Sequence, residues 1–594
     1  MSRRRNYPLL CVMSLAICLS AGSLNAFASI AGSRATSENG SGRANPGGAY
    51  ELTVQIVGSG SVLRSPARIS CARTCSAPFA SGSVVMLTAK AVKGGMFAGW
   101  SGACTGGGVC KLTMSANESV TATFQATQGL NRLNHIVFMA QENRSLDHYF
   151  GQLRAYWKAN GFADRSFDGL PQFNPTKGLA PLYGPAPSNP GCDPAYPPPA
   201  DCTVDSSSPQ ISSYSLITEC VENPSPSWNE SHVDWNLEDP VSAAATLDGY
   251  VWTAAHDSRN MNPMYYDING LRVMGIYGPT DLNYYYFMAS EFATSDRWFS
   301  PTMTRTASNR EYLIAGTSQG DAYPIGSDPE DQSLLTAPTI FQRLEAAGIS
   351  WKIYVNTDNT TCATNPTPQC LLTLSYVQNF EWGQTIPADY PQNITTMTQY
   401  FADVQNGTLP AVAIIEPASA AGLDEHGSDS DEYPINIQLG ANYVSSLVNA
   451  LMTSVSWKDS AFILTYDEFG GFYDHVAPQA EVSPDGIKPQ DLMPGDICTG
   501  ATGPTCDFTY TGYRLPLIVI SPYTKKHYVS HTVMDTTAIL KLIELRFRVK
   551  ALTKRDAAQK SMAEFFDFNS PAWMTPPSPP AQNTNGACYL NHLP

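Results

Sequence analysis

Charge is scarce in this chain. Charged residues make up 15% of it, well under the roughly 25% of an average soluble protein. Positive charge is scarcer still: 36 Lys and Arg face 52 Asp and Glu, a formal net charge of −16. An acidic chain is a poor electrostatic partner for a phosphate backbone, so nucleic-acid binding is disfavoured as a main role. Long apolar runs are also missing. Beyond residue 28 no stretch reaches the roughly 18 uninterrupted apolar residues of a membrane helix, so no transmembrane segment is expected. The absence of a Gly-X-Y period and of heptads excludes fibrous classes. Wholesale disorder is excluded by 23 Phe, 29 Tyr and 10 Trp.

What is present is 594 residues, 43% of them hydrophobic, with 44 Gly and 44 Pro. That length suits one large domain with a small companion, and the Gly and Pro content predicts plentiful loops. Residues 1–28 read as a signal peptide. Arg3, Arg4 and Arg5 form a positive start, Pro8 to Ala21 is mostly apolar, and Ala26-Phe27-Ala28 is a small-x-small cleavage site. The expected location is therefore secreted or periplasmic. Cysteine usage agrees. Cys11 and Cys18 lie in the signal, and ten of the other twelve form close pairs in loops: Cys71/Cys75, Cys104/Cys110, Cys192/Cys202, Cys362/Cys370 and Cys498/Cys506. Such pairs read as disulfides formed in an oxidising compartment, and Cys220 and Cys588 remain to pair with each other.

The texture of the chain divides it. Residues 29–49 read as a Ser/Gly/Ala-rich linker. Residues 50–126 read as a small all-β module, with alternation at Leu52/Val54/Ile56 and Val120/Ala122/Phe124. The Phe97-Ala-Gly-Trp100-Ser-Gly segment and Thr121-Ala-Thr-Phe124 resemble the small β repeat modules of exported bacterial proteins. From 127 to 570, short apolar runs alternate with helical stretches. Ile136–Ala140, Ala411–Ile415, Ala461–Tyr466 and Leu515–Ile520 read as buried parallel strands, and Ala441–Met452 and Thr537–Phe547 as helices. The expected fold is α/β, a mostly parallel central sheet flanked by helices. Residues 174–210 read as a long loop, and 571–594 as a Pro-rich tail.

Two apolar strands stop abruptly at oxygen-bearing side chains, one at Glu142-Asn143 and the other at Asp467-Glu468-Phe-Gly470-Gly471. Sites in open α/β sheets lie at the carboxyl ends of strands. Converging there, three carboxylates repel one another unless a cation neutralises them. Oxygen-only ligation points to a hard divalent metal ion, one or more.

These runs also carry a resemblance. Glu142-Asn-Arg-Ser-Leu-Asp-His-Tyr-Phe-Gly151 and Asp467-Glu-Phe-Gly-Gly-Phe-Tyr-Asp-His475 look like signatures of the bacterial phospholipase C/acid phosphatase phosphoesterases, whose fold is alkaline-phosphatase-like. The resemblance continues at Ser295–Ser300, Thr306-Ala-Ser-Asn-Arg310, Leu515–Tyr523 and Val529–Thr532, so that it covers about 130–550. It implies a phosphate-ester substrate, with phospholipid at a membrane surface as one candidate, cleaved through a phosphothreonine intermediate. Thr306 matches the nucleophile, and Glu142, Asn143, Thr306, Asp467 and Glu468 match the metal ligands. His475 matches a phosphate-contacting histidine, His426 a histidine of a Glu-His-Pro element in which Gly427 here replaces proline, and His232 a histidine near the leaving group. Pro226 stands where some members have another histidine, and Thr246 where many have lysine. Two alternatives accompany this reading: an acid phosphatase acting on monoesters, and an inactive binding protein whose β module carries adhesion.

Overall fold

The computed structural model describes residues 49–65, 70–92, 95–104, 108–126, 129–163, 166–174, 177, 180–322, 334–430, 434–500, 503 and 505–593. The expected signal and linker therefore lie outside the described residues, apart from Ala49. Eight strands form the central sheet, in the order Ile394–Thr396, Trp351–Val355, Val412–Ile415, His135–Gln141, Ser460–Tyr466, Ile518–Ile520, Ala293–Ser295, Tyr528–Ser530. The first five are parallel. The two central strands are buried along almost their whole length, which explains why their sequences are continuous apolar runs and not alternating ones. Ile518–Ile520 departs from expectation. It runs antiparallel to both neighbours, with Ile463 opposite Val519 and Ala293 opposite Val519. An apolar run fixes burial on both faces but carries no direction.

The helices pack by the usual periodicity. Ile437–Met452 buries Ile437, Ala441, Val444, Val448 and Leu451. It starts four residues before the expected Ala441 because Asn436 caps it, accepting from the Gln438 amide. Thr537–Phe547 forms as expected. Among the described residues of 174–210 there is little regular structure beyond Ser188–Pro190, which pairs with Gln210–Ser212.

Ahead of this sheet, two four-stranded sheets form the N-terminal module. They enclose their own cluster of buried side chains, from Leu52 to Phe124, with Trp100 and Val120 among them. A second and much larger cluster begins at Leu130 and reaches Trp573. All six expected disulfides are present: Cys71–Cys75, Cys104–Cys110, Cys192–Cys202, Cys220–Cys588, Cys362–Cys370 and Cys498–Cys506. The C-terminal tail is strapped down. Trp573 is buried, its carbonyl accepts from Trp457 Nε1 at 2.8 Å, and Gln582 Nε2 donates to the Asp281 carbonyl at 2.7 Å. No helix among the described residues is long and apolar enough to cross a membrane.

A buried charged network ties together the loops that leave the two central strands. Arg514 Nε donates to Asp474 at 2.7 Å and Arg514 Nη2 to Asp147 at 3.1 Å. The His475 ring bonds Asp147 through Nδ1 at 2.5 Å and faces Asp168 through Nε2 at 3.4 Å. Burial alone would lower the His475 pKa, but the carboxylate of Asp147 more than reverses that and it rises to about 9.

Cys588→Ser removes a link that closes a loop of 368 residues, and should cost about 2–4 kcal/mol in denaturant unfolding. For His475, a folded pKa of about 9 lies above the unfolded value of about 6.5. Its stabilisation is therefore complete below that unfolded value and lost as pH rises through the folded one. The stability gap between wild type and His475→Gln, measured by denaturant titration across pH, should be widest in acid and shrink toward alkaline pH.

Candidate active site

The centre of the site is a consequence of sheet register. Gln141 pairs with Tyr466 at the ends of the adjacent parallel strands, so the residues that follow, Glu142-Asn143 and Asp467-Glu468, leave the sheet side by side. Asp467 Oδ1 accepts from the amides of Asn143 (3.0 Å) and Glu468 (2.7 Å). The Arg144 amide donates to the Glu468 carbonyl at 3.0 Å. Asn143 takes a left-handed conformation, φ 59°, and Gly470 and Gly471 have φ of 71° and 74°. A Cβ on Gly470 would meet the Asn143 carbonyl oxygen at 2.3 Å, so only glycine fits there.

The Thr306–Ala315 helix supplies the other half. Thr306 is its first residue, and the N-cap, Arg305, places no side-chain cap on it. Its first amides are therefore available to an anion. Thr306 Oγ1 donates to Glu142 Oε2 at 3.3 Å. Arg310, four residues on and so on the same helix face, donates from Nη2 to Glu142 Oε1 at 2.7 Å and reaches Asp467 Oδ2 from Nε at 3.3 Å. Asn309 braces the turn before the helix: its amide donates to the carbonyls of Thr304 and Arg305, and its oxygen accepts from the Thr302 amide.

Charge does not balance in this cluster. Glu142, Asp467 and Glu468 are 3%, 2% and 0% exposed. Arg310 is the guanidinium that pairs with them, which leaves two negative charges over. Burial pushes the Glu142 and Glu468 carboxyls well above the usual range, and Asp467 beside each pushes them further. Asn143 Oδ1 and Glu468 Oε1 are buried with no hydrogen-bond partner. Two orphaned oxygens beside an excess of two negative charges fit a hard divalent cation. A different acid and histidine group, Asp147, Asp474 and His475, has ligand atoms within 4.8 Å of one another, but there the Arg514 guanidinium already supplies the positive charge.

The loop after the Val412–Ile415 strand closes the site. Its Asp424 carbonyl accepts from the Glu142 amide at 3.0 Å. Glu425 next to it is fully buried and accepts from the hydroxyls of Tyr149 (2.8 Å), Tyr285 (2.5 Å) and Tyr466 (2.8 Å) and from Gln141 Nε2 (3.2 Å). That anchor fixes the half-buried His426 beside it. Because a carbonyl only accepts, the 2.7 Å contact between His426 Nδ1 and the Gly427 carbonyl puts the proton on Nδ1 and leaves Nε2 as an acceptor.

A cleft of about 680 Å³ opens over these groups, lined by Glu142, Asn143, Arg305, Thr306, Asp424 and His426 and, further out, by Pro226, Asp257, Tyr265 and Asp429. Four expected residues are not among its lining: His232, His475, Asp467 and Glu468. His232 is fully buried, with Nδ1 2.6 Å from the Trp228 carbonyl and Nε2 3.2 Å from the Thr505 carbonyl. Ser225–Ser227 reach the cleft, but the Trp228–Trp235 helix then turns the face of Trp228 and His232 inward. His475 is held by Asp147 in the network beneath. Neither position supports the contacts expected of these histidines. Asp467 and Glu468 are buried. Arg305, Asp257, Tyr265 and Asp429 were not expected from sequence. They come from separate segments with no shared motif, and only Arg305, beside Thr306, carries a local hint.

Comparison with known proteins assigns the chain to a family. A phosphoesterase family model matches residues 133–550, and a divergent InlB B-repeat domain model matches residues 50–128. Phospholipase C B of Mycobacterium tuberculosis is 30% identical over 529 residues, covering 84% of this chain and 88% of that protein. A non-hemolytic phospholipase C of Burkholderia pseudomallei is 27% identical over 484 residues, covering 76% of this chain and 61% of its own length. A Vibrio parahaemolyticus protein of the alkaline phosphatase superfamily overlaps 47% of this chain and 64% of its own, with 13% identity and a TM-score of 0.27, below the level at which a superposition defines a shared fold. The match across most of the chain settles the assignment: this protein belongs to the phosphoesterase family.

Proposed function

We propose that this phosphoric ester hydrolase is an exported enzyme of the phospholipase C type, working through Thr306 as nucleophile and a divalent cation held by Glu142, Asn143, Thr306, Asp467 and Glu468. The observation that carries the reading is the Thr306 hydroxyl. It stands at an uncapped helix N-terminus, inside the cleft and hydrogen-bonded to a buried carboxylate. Six disulfides support export, since such bonds persist in oxidising compartments. Phospholipid at a membrane surface is the substrate suggested by the relatives' names.

When bound, the cation neutralises the carboxylate excess and draws charge from a phosphoryl oxygen. The protein's own groups do the rest. The Thr306–Ala315 helix start orients the phosphoryl group through its free amides. Thr306 Oγ forms a bond to phosphorus as the bond to the leaving alcohol breaks, and its proton passes to Glu142 Oε2. The leaving oxygen takes a proton from water in the open cleft. A water molecule then displaces Thr306, which recovers its proton from Glu142, and His426 Nε2 accepts the proton that the water gives up. His232 and His475 have no part in these steps; they hold the Trp228–Trp235 helix and the strand-end loops in place.

Thr306→Ala should lower turnover on the order of 10³-fold or more, about 4 kcal/mol of transition-state stabilisation. Thr306→Ser keeps the oxygen and should fall between. Rates on a chromogenic diester and monoester, run side by side, measure this and separate a diesterase from an acid phosphatase. Acid quench during turnover should leave phosphate on the Thr306 peptide of wild type alone. An Ala variant within tenfold of wild type would remove Thr306 from the role. Inactivity on both esters would favour the alternative of a binding protein.

A further inference from the structure

Two of the runs that carry the family resemblance, Ser295–Ser300 and Val529–Thr532, supply no residue to the lining of the cleft over Thr306. The sheet brings these two runs together elsewhere. Strand Ala293–Ser295 pairs in parallel with Tyr528–Ser530, with Ser295 opposite Ser530, so the residues that follow, Asp296 and His531, leave the sheet side by side. Two antiparallel steps separate Ala293–Ser295 from Ser460–Tyr466, so it runs in the same direction as the central strands. Asp296 and His531 therefore stand at carboxyl ends of strands, where sites in α/β sheets form. Asp296 is fully buried, and both of its carboxylate oxygens lie 2.9 Å from His531 Nδ1. Its position is fixed, since the Asp168 amide donates to Asp296 Oδ2 at 2.9 Å and the Asp296 amide donates to the Ser530 carbonyl at 3.1 Å. Arg297 Nη1, 3.5 Å from Asp296 Oδ1, balances part of its charge. A carboxylate only accepts, so the ring proton of His531 sits on Nδ1 and Nε2 presents a lone pair. That lone pair is 2.9 Å from Ser166 Oγ, which donates to it. The His531 side chain is 51% exposed and Ser166 is half-buried, so the pair borders solvent.

We propose that Ser166, His531 and Asp296 form a second catalytic centre, a serine esterase site that cleaves carboxylic esters of small acyl groups. Nucleophile, base and orienting carboxylate stand in the hydrogen-bonded order that this chemistry needs, and such a triad is recognised by geometry and roles, not by sequence position. Ser166 Oγ forms a bond to the acyl carbon, and its proton passes to His531 Nε2. As the ester C–O bond breaks, that proton goes to the leaving alkoxide. Water then adds to the acyl carbon and gives a proton to His531 Nε2. The proton returns to Ser166 Oγ as the acyl–serine bond breaks and the carboxylic acid leaves. Asp296 holds the imidazole in the required tautomer and offsets the charge of the imidazolium. A serine that borders solvent suits small esters with a good leaving alcohol, and not amides. No step uses Thr306 or a divalent cation, so the site is independent of the phosphoesterase reading.

The test assays the full chain, supplied with divalent cation, on p-nitrophenyl acetate, an ester without phosphorus. Wild type should hydrolyse it at least tenfold faster than Ser166→Ala or His531→Gln. The wild-type rate should rise with pH along a single ionisation, that of His531, and the dependence should vanish in His531→Gln, a change that a merely structural histidine would not produce. Turnover of a chromogenic phosphodiester by the same samples reports the fold, and both variants should retain it. A second measurement needs no variant. Diisopropyl fluorophosphate reacts with activated serines, and peptide mapping of the labelled wild-type chain should place the adduct on Ser166; if the variants lose phosphodiester turnover as well, this labelling decides. No ester hydrolysis by wild type, a rate unmoved by the substitutions, or an adduct on Thr306 with none on Ser166 overturns the esterase site and leaves the phosphoesterase reading standing.

Discussion

The guanidinium of Arg310 is the contact on which the site depends. It joins the end of one central strand, through Glu142, to the end of the next, through Asp467, and it does so from the helix that begins with Thr306. It also donates to the carbonyls of Ala140 and Gln141 and lies 4.7 Å from the centre of the Tyr376 ring. Sheet, helix and the 376 segment are thus fixed by one buried cation. Taking such a partner from a buried ion pair costs roughly 3–5 kcal/mol, because the charge left behind has no water to face. One guanidinium still cannot balance three carboxylates. That deficit is the physical reason for placing a divalent cation beside Thr306.

The same accounting of charge runs outward from the centre. Beneath the cleft, Arg514, His475 and Arg297 offset Asp147, Asp168 and Asp474, and that network is closed. Along the loop above, Glu425 is satisfied by three tyrosines and a glutamine and so holds Asp424 and His426 in position. In the outer cleft Asp257, Asp424 and Asp429 line the wall together with Arg305.

Much of this was legible in the sequence, for definite reasons. Ile136–Ala140 and Ala461–Leu464 are apolar on every residue because both faces of a central parallel strand are covered, and the acidic residues that follow the two strands belong to the site. The close cysteine pairs read correctly because short loops in an oxidising compartment leave few alternatives, and Thr537–Phe547 because its apolar spacing is helical. Other features were not legible. Leu515–Ile520 shows burial but not direction. His232 sits in a segment next to the cleft, yet the phase of its helix turns it inward, and spacing from a motif does not reveal phase. His475 belongs to a recognisable run, but its side chain is claimed by Asp147, more than 300 residues earlier. Asp257, Tyr265 and Asp429 meet only through the fold.

The central claim is that the strand-end carboxylates hold a divalent cation which Arg310 cannot replace. Calorimetric titration of metal-stripped protein with manganese, calcium, magnesium or zinc, with metal content measured after gel filtration, tests it without any substrate. The account predicts at least one tightly held ion per chain and a higher melting temperature with it, both lost in Asp467→Asn/Glu468→Gln while that variant remains folded. A wild-type chain that binds none of these ions, or a folded variant that binds them as well as wild type does, would contradict it.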